Sequence, residues 1–194
     1  MKCSLSLLLL SVLAFSSSTS AQNVEFSGGY AHITGDQGLD GFNVGAAAWF
    51  TRNVSIAADY DSGWDNTRIG IFELTQTGLV VAKSHLQDFL FGPRIAFPGL
   101  IKSGNKHVAH LLPFAEAEFG VSHLSSSLQD KTTNVNQSAS DTAFSWMLGG
   151  GADYKIFPRW VGRLKVDLLR THFAETGQSR LRVSLGVAYT FRDR

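Results

Sequence analysis

The chain has 194 residues, with 17 Lys and Arg against 16 Asp and Glu, a formal net charge of +1 and 44% hydrophobic residues. This balanced charge excludes the strongly basic surface of a nucleic-acid-binding protein, and the apolar content excludes a disordered chain. Its single cysteine is Cys3. The chain after this residue therefore contains no thiolate nucleophile and no cysteine ligand for zinc.

The first residues have the order of a secretory signal peptide. Lys2 is followed by the apolar run 5–15 and then by small and polar residues up to Ala21. This order of charge, short apolar run and small residues is typical of a cleaved leader. The run is too short for a membrane-spanning helix, which needs about 20 apolar residues. We therefore expect residues 1–21 to be a signal peptide and residues 22–194 to form one domain.

Stretches that alternate apolar with polar or small residues follow the leader, and this period of two predicts β-strands with one apolar face. In chain order they are residues 24–34, 42–50, 54–62, 85–97, 112–123, 144–156, 160–171 and 182–191. The short connection 51–53 predicts a hairpin between the second and third strands. Pro93 cannot donate to a sheet ladder, so we expect a bulge or a weak register there.

The connections between these strands alternate between shorter turns and mostly longer loops, as in transmembrane barrels. Within residues 63–84, the segments 69–74 and 79–82 can pair around 76–78. Each is shorter than the roughly nine residues that a tilted membrane strand needs. We expect a hairpin that rises into solvent, with an extra pair of barrel strands as the open alternative. Residues 124–140 are rich in Ser, Thr, Asn and Gln without an apolar period, which predicts an exposed loop.

Charged residues of both signs lie on the face opposite the apolar one. A narrow eight-stranded barrel is filled by its inward side chains, and buried charges must be paired. The sequence therefore predicts a lumen ion-pair network of Arg94, Glu116, Glu118, Arg163, Lys165 and Asp167. Further charges on that face are Glu25, Asp59, Asp61, Asp88, Asp153 and Lys155. We expect a static plug; the alternative is a gate that passes small ions when a pair changes partner.

Aromatic residues gather at the strand ends next to the shorter turns. Such residues form girdles at membrane interfaces. The predicted girdle consists of Phe50, Phe97, Tyr154, Phe157, Trp160, Tyr189 and Phe191.

The alternating Gly-rich strands, the leader and the last strand with Val183, Leu185, Val187, Tyr189 and the terminal aromatic Phe191 resemble small outer-membrane β-barrel proteins of the OmpA/OmpX type. These proteins belong to Gram-negative bacteria. The resemblance extends over the whole predicted mature chain. It implies an all-β, eight-stranded antiparallel up-and-down transmembrane β-barrel in the outer membrane. It also implies contact with outer-membrane lipid and recognition of the last strand by the barrel-assembly machinery.

The expected role is structural or surface-interacting, with residues 63–84 and 124–140 as surfaces for an extracellular partner. One alternative is a narrow porin-like diffusion channel. The structural rival is a soluble lipocalin-like barrel, which would place the apolar face inward and the charges outward. Alternation alone does not say which face is inside.

A lipid A-modifying enzyme is the remaining alternative, because outer-membrane lipid A deacylases use a His and a Ser two residues apart. His123 and Ser125 have this spacing, and Asp130 or Asp141 is available to orient the histidine. The segment is Ser-rich, where such a pair arises by chance, so we expect no catalytic residue. Loop aspartates fit no EF-hand, and His85, His107, His110 and His172 lie on separate predicted elements. No metal site and no cofactor are expected.

Overall fold

The structure is a computed structural model that describes residues 23–34, 38–73, 76–98, 100, 110–130, 136–173 and 176–191. The predicted signal peptide lies outside the described residues. The strands are β1 (Asn23–Ile33), β2 (Leu39–Trp49), β3 (Val54–Glu73), β4 (Gln76–Ala96), β5 (Leu111–Asp130), β6 (Asn136–Phe157), β7 (Trp160–Phe173) and β8 (Thr176–Thr190). Each strand pairs antiparallel with the next, and β8 pairs with β1. The predicted up-and-down eight-stranded barrel is confirmed.

The two faces of the sheet differ sharply in chemistry. Apolar side chains such as Leu185, Phe144 and Leu148 point outward and are exposed, whereas charged side chains such as Glu25 and Asp167 point inward and are buried. A water-soluble barrel would bury the apolar face, so this arrangement contradicts the lipocalin-like alternative and suits a barrel surrounded by lipid. No helix in the described part of the chain is long and apolar enough to cross a membrane.

The barrel has two unlike ends. The end that carries Asn23, Phe191 and the connections after β2, β4 and β6 is called the terminal end. The opposite end is called the hairpin end, because β3 to β6 have 20, 21, 20 and 22 residues whereas β1 and β2 have 11 each. The four long strands therefore extend beyond the others as two hairpins.

The hairpin predicted within residues 63–84 is present as a continuation of β3 and β4. The two strands pair without interruption from Val54↔Ile95 to Glu73↔Gln76. Residues 76–78 therefore belong to β4, and the predicted turn at 76–78 is wrong. The alternative of extra barrel strands is also wrong, since the described sheet contains eight strands.

The loop predicted at residues 124–140 is wrong over most of its length. Strand β5 continues to Asp130, β6 begins at Asn136, and their pairing runs to Gln129↔Asn136. The outward residues of this extension, such as Ser125, Ser127 and Ser140, are polar, so the strand lacks the apolar outer face that produces an apolar period. The connection between the predicted strands 160–171 and 182–191 is also shorter than expected, because β7 continues to Phe173 and β8 begins at Thr176.

The irregularity expected at Pro93 takes a milder form. Its pairing with β3 is regular at Ile56↔Pro93. On the other side, pairing lapses at Gly92 and Pro93 and resumes at Arg94↔Glu116 in the same register. A bulge occurs instead between Lys155 and Phe157 in β6.

The seam that closes the barrel depends on two facing glycines, Gly29 in β1 and Gly186 in β8. A Cβ added at Gly186 would lie 2.4 Å from the carbonyl oxygen of Gly28 and 2.8 Å from Cα of Gly29. We expect Gly186→Val to destabilise the barrel by about 1 to 3 kcal/mol, because the strands must separate to admit the side chain. The measurement is urea unfolding in phospholipid vesicles.

The matched control is Gly28→Val, which adds the same side chain on the outer face. Its nearest neighbours would be the carbonyl oxygen of Asn43 at 3.7 Å and Cγ1 of Val44 at 3.8 Å. Equal stability of the two variants would contradict the close-packed seam.

Candidate functional site

The barrel interior concentrates charge to an extent unusual for a buried region. Among the described residues, eight carboxylates and four cationic side chains are buried there, a formal balance of 4 − 8 = −4. They are Glu25, Asp59, Asp61, Asp88, Glu116, Glu118, Asp153 and Asp167 with Arg94, Arg163, Lys165 and Arg182. Lys155, expected among them, is exposed at the terminal end of β6.

Two arginines form the part of this interior nearer the terminal end. Arg163 donates from Nε and Nη2 to the two carboxylate oxygens of Asp153, each at 2.7 Å. Its Nη1 lies 2.7 Å from Oε1 of Glu25, and Nε of Arg94 donates to Oε2 of Glu116 at 2.6 Å. Both guanidinium carbons lie 5.1 Å from the ring centre of Phe114. The aromatic ring therefore lies between two cations, each of which a carboxylate neutralises.

Lys165 connects this group to the next one. Its ammonium contacts Asp59 in β3 and lies 2.5 Å from Oε1 of Glu116 in β5. These strands lie on different sides of the barrel from β7, so the ion pairs cross the lumen. The cross-lumen pairs leave little room for a continuous water path.

Arg182 is the centre of the third group, and the sequence analysis did not identify it. Nη1 of Arg182 contacts Oδ2 of Asp61. Its Nη2 lies 2.8 Å from Oδ2 of Asp167 and 2.6 Å from Sδ of Met147. Asn43 donates to the other oxygen of Asp61 at 2.9 Å. The available signal was parity, because Arg182 shares the inward face of β8 with Ser184.

Of the predicted network, Arg94, Glu116, Arg163, Lys165 and Asp167 all take part in buried ion pairs. Among these six residues of the described interior, Glu118 is the exception. It is 1% exposed, and neither of its carboxylate oxygens has a hydrogen-bond partner. Oxygens of Asp59, Glu116 and Glu118 lie within 4.8 Å of one another. Because the ammonium of Lys165 already contacts the first two, the protein supplies its own cation at this cluster.

Apolar clusters close both ends of the charged interior. Toward the hairpin end, the buried cluster consists of Ile33, Leu39, Leu86, Leu90, Ala143, Met147, Leu169 and Phe173. Toward the terminal end, Trp49, Ala96 and Phe114 pack together with Leu112 against them. A cavity between Ser27, Asn43, Arg163 and Lys165 measures about 10 Å³, space for about one water molecule. The interior is thus a packed core between two apolar layers.

The predicted girdle residues lie on the outer surface at the terminal end. Phe50, Phe97, Tyr154, Phe157, Trp160 and Phe191 are exposed, and Tyr189 is half-buried. The rings of Trp160 and Tyr189 are 5.0 Å apart, and those of Tyr189 and Phe191 are 5.3 Å apart. Phe26 of β1 also contacts Phe191. The four aromatic rings therefore form a continuous row across the closing strands β7, β8 and β1.

The pair His123 and Ser125 lies on the outer face of β5, where the apolar surface gives way to polar residues. Oγ of Ser125 lies 3.2 Å from Nε2 of His123, and Nδ1 of His123 lies 2.7 Å from Oγ1 of Thr142. The carboxylate of Asp141 accepts a hydrogen bond from the backbone N–H of Thr142. The side chain of Asp130 is outside the described part. The group that orients the imidazole is therefore an uncharged hydroxyl, which does not stabilise an imidazolium as a carboxylate does.

A scan against protein-family models finds no match, and a comparison with curated proteins finds none either. Among solved structures, the chain is similar to Ail, the attachment invasion locus protein of Yersinia pestis, in complex with the heparin analogue sucrose octasulfate. The identity is 15%, the TM-score 0.58, and the match covers 89% of this chain and 100% of that one.

A second similar structure is a major outer membrane protein from Thermus thermophilus. The identity is again 15%, with a TM-score of 0.57 over 89% of this chain and 100% of that one. At identities this low, the comparison shows a shared fold and does not show a shared activity. Together with the lipid-suited outer face, they show that this chain has the fold of the small outer-membrane β-barrel proteins.

Proposed function

We propose that this protein is a closed outer-membrane barrel that holds two β-hairpins at the cell surface for contact with a partner. The observation that carries the proposal is the packed interior, in which cross-lumen ion pairs lie between two apolar clusters. A protein built to conduct solutes needs a water path, which this packing opposes. The barrel is therefore an anchor, and its contact surface lies on the extensions of β3 to β6.

The orientation follows from the two unlike ends. In bacterial outer-membrane barrels the short turns face the periplasm and the long segments face outward. We accordingly assign the terminal end to the periplasm and the hairpin end to the cell exterior. The last strand, β8, ends at Thr190 and is followed directly by Phe191 at the periplasmic side, where the barrel-assembly machinery would meet it. Ail in complex with sucrose octasulfate supports the general idea that a barrel of this size presents a ligand surface.

The proposal assigns no catalysis to His123 and Ser125. A serine becomes a nucleophile when a base takes its proton, and the resulting imidazolium needs a carboxylate or an equivalent acceptor. Here the hydroxyl of Thr142 occupies that place at 2.7 Å. The hydrogen bonds are instead those of a polar strand surface above the membrane.

Conductance in planar lipid bilayers separates the closed anchor from the porin-like channel. The folded barrel is expected to give no discrete conductance steps, because ions would have to cross both apolar clusters and break buried ion pairs. A general diffusion porin in the same bilayer is the positive control. Regular, reproducible steps from this chain would contradict the closed lumen and favour the channel.

A further inference from the structure

The outer face of β4, β5 and β6 changes from apolar to polar at a sharp level. Phe89, Val121 and Phe144 are paired across the three strands and form one outward row. Their side chains are 53%, 51% and 58% exposed. Among the outward rows whose side chains the structure describes on these three strands, this one is the last apolar row toward the hairpin end, so it marks the upper edge of the lipid-facing surface.

Three polar rows continue the same outer face above that edge. Strand register groups them as Gln87, His123 and Thr142, then His85, Ser125 and Ser140, then Lys83, Ser127 and Ser138. We call these nine residues the polar ribbon. It contains three residues that can carry positive charge, five that carry hydroxyls, and no carboxylate. His85 lies four residues from Phe89, about 13 Å along the strand, so the polar ribbon begins directly above the lipid-facing surface.

The upper part of the polar ribbon encloses a groove. A cleft of about 280 Å³ is lined by Lys83, Ser84, His85, Ser125, Ser126, Ser127, Ser138, Ala139 and Ser140. Because side chains alternate along each strand, the second and third rows of the polar ribbon form the walls of this groove. Ser84, Ser126 and Ala139 lie between these two rows and form its floor. A volume near the lower end of the usual range for ligand pockets suits a group the size of one sugar ring.

An aromatic side chain extends this groove toward β3. Trp64 is the strand partner of His85, is 46% exposed, and its ring lies 6.5 Å from the imidazole. The imidazole is held in place by Ser62, whose Oγ lies 2.8 Å from Nε2 of His85. A flat, exposed indole beside hydroxyls offers an apolar face to the carbon side of a sugar ring, with polar partners next to it.

The charge around the groove selects an anionic group. Lys83 and His85 stand on adjacent outward positions of β4 in a wall without a carboxylate, and hydroxyls donate readily to phosphate oxygens. The exposed acid in the same outward row is Asp40, which lies beyond Trp64 and is engaged by His32 at 2.6 Å. Its carboxylate also accepts from the hydroxyl of Tyr30, so it is directed toward β1, and Trp64 separates it from the groove.

We propose that this groove binds a phosphorylated saccharide. Trp64 stacks on the sugar ring, Lys83 and His85 contact the phosphate, and the serine hydroxyls bond the remaining oxygens. This rests on the proposed function in one respect, the assignment of the hairpin end to the cell exterior. Two sources share this chemistry: the headgroup of a phosphorylated glycolipid in the outer leaflet, and a free phosphorylated sugar.

The test uses the folded barrel and two probes. Glucosamine 6-phosphate in solution represents the free sugar, and vesicles of phosphatidylcholine with a phosphorylated disaccharide glycolipid represent the headgroup. Each is compared with its dephosphorylated form. Binding is followed by isothermal titration for the soluble probe and by glycolipid recovered per purified barrel for the vesicles. The variants are Lys83→Glu and Trp64→Ala, with Lys155→Glu, an exposed lysine at the terminal end, as the matched control.

We expect removal of the phosphate, or Lys83→Glu, to weaken binding at least about tenfold, the effect of losing one charge-assisted hydrogen bond, and Lys155→Glu to leave it unchanged. Binding of the soluble probe assigns the groove to free sugars, and binding of the vesicle glycolipid alone assigns it to headgroups. Equal binding of phosphorylated and dephosphorylated probes, or equal loss in Lys155→Glu, overturns the proposal. Conductance is measured on the same preparation. If no conductance steps occur and neither probe binds, the groove proposal fails while the closed barrel remains supported.

Discussion

Replacing Arg182 by methionine is expected to destabilise the folded barrel by about 3 to 5 kcal/mol, the usual effect of removing one partner from a buried ion pair. Methionine fills similar space without charge. It leaves Asp61 and Asp167, both buried, without the cation that contacts them. The measurement is urea unfolding in phospholipid vesicles, followed by tryptophan fluorescence.

Two further variants make this result specific. Lys155→Met removes an exposed positive charge and is expected to change stability little. In the Arg182→Met background, Asp167→Asn is expected to restore part of the loss, because it removes one of the stranded charges. An Arg182→Met barrel as stable as the parent would contradict the role of this arginine as the centre of its group.

The second large effect comes from two glutamates of β5 that share the inward face and differ in their partners. Glu116 meets Nε of Arg94 at 2.6 Å and the ammonium of Lys165 at 2.5 Å, whereas neither oxygen of Glu118 has a hydrogen-bond partner among the described residues. We expect Glu116→Gln to cost about 3 kcal/mol or more, because two buried cations lose a carboxylate. Glu118→Gln is expected to leave the barrel as stable as the parent or more stable, because the amide removes an uncompensated charge.

Both variants carry the same change from glutamate to glutamine, two residues apart on β5, so each variant is the control for the other. Both variants are unfolded by urea in the same vesicles, and the difference in free energy of unfolding is the quantity to compare. Equal destabilisation would mean that Glu118 has a cationic partner of its own, and this would contradict the difference between the two glutamates.

The sequence was sufficient to predict the barrel because alternation acts on each strand separately. Every inward charge in β3 to β7 could be assigned from its parity with neighbours, as Asp59 and Lys165 show. Their pairing could not be predicted, since these residues are 106 positions apart and contact depends on register around the whole barrel. Arg182 was not predicted as a lumen residue. It is the first residue of the predicted last strand, and the other inward residues of that strand up to Thr190 are uncharged.

Two other features escaped the sequence for physical reasons. The outward residues of the extensions of β5 and β6, such as Ser125, Ser127 and Ser140, are polar, so the apolar period that identifies a membrane strand is absent there. The apolar clusters that close the lumen use inward residues such as Ile33, Leu86 and Leu169. Their height in the barrel depends on strand stagger, which a single sequence does not specify.

The most direct test of the central account is cysteine labelling in intact cells. The sequence after the predicted leader contains no cysteine, because the single one is Cys3. Ser127→Cys places a thiol on the polar ribbon at the hairpin end, and Lys155→Cys places one at the terminal end. A membrane-impermeant maleimide is expected to label Ser127→Cys in intact cells and Lys155→Cys only after the outer membrane is permeabilised. Labelling of both thiols in intact cells, or of Lys155→Cys alone, would contradict a barrel that spans the outer membrane with its hairpins outside.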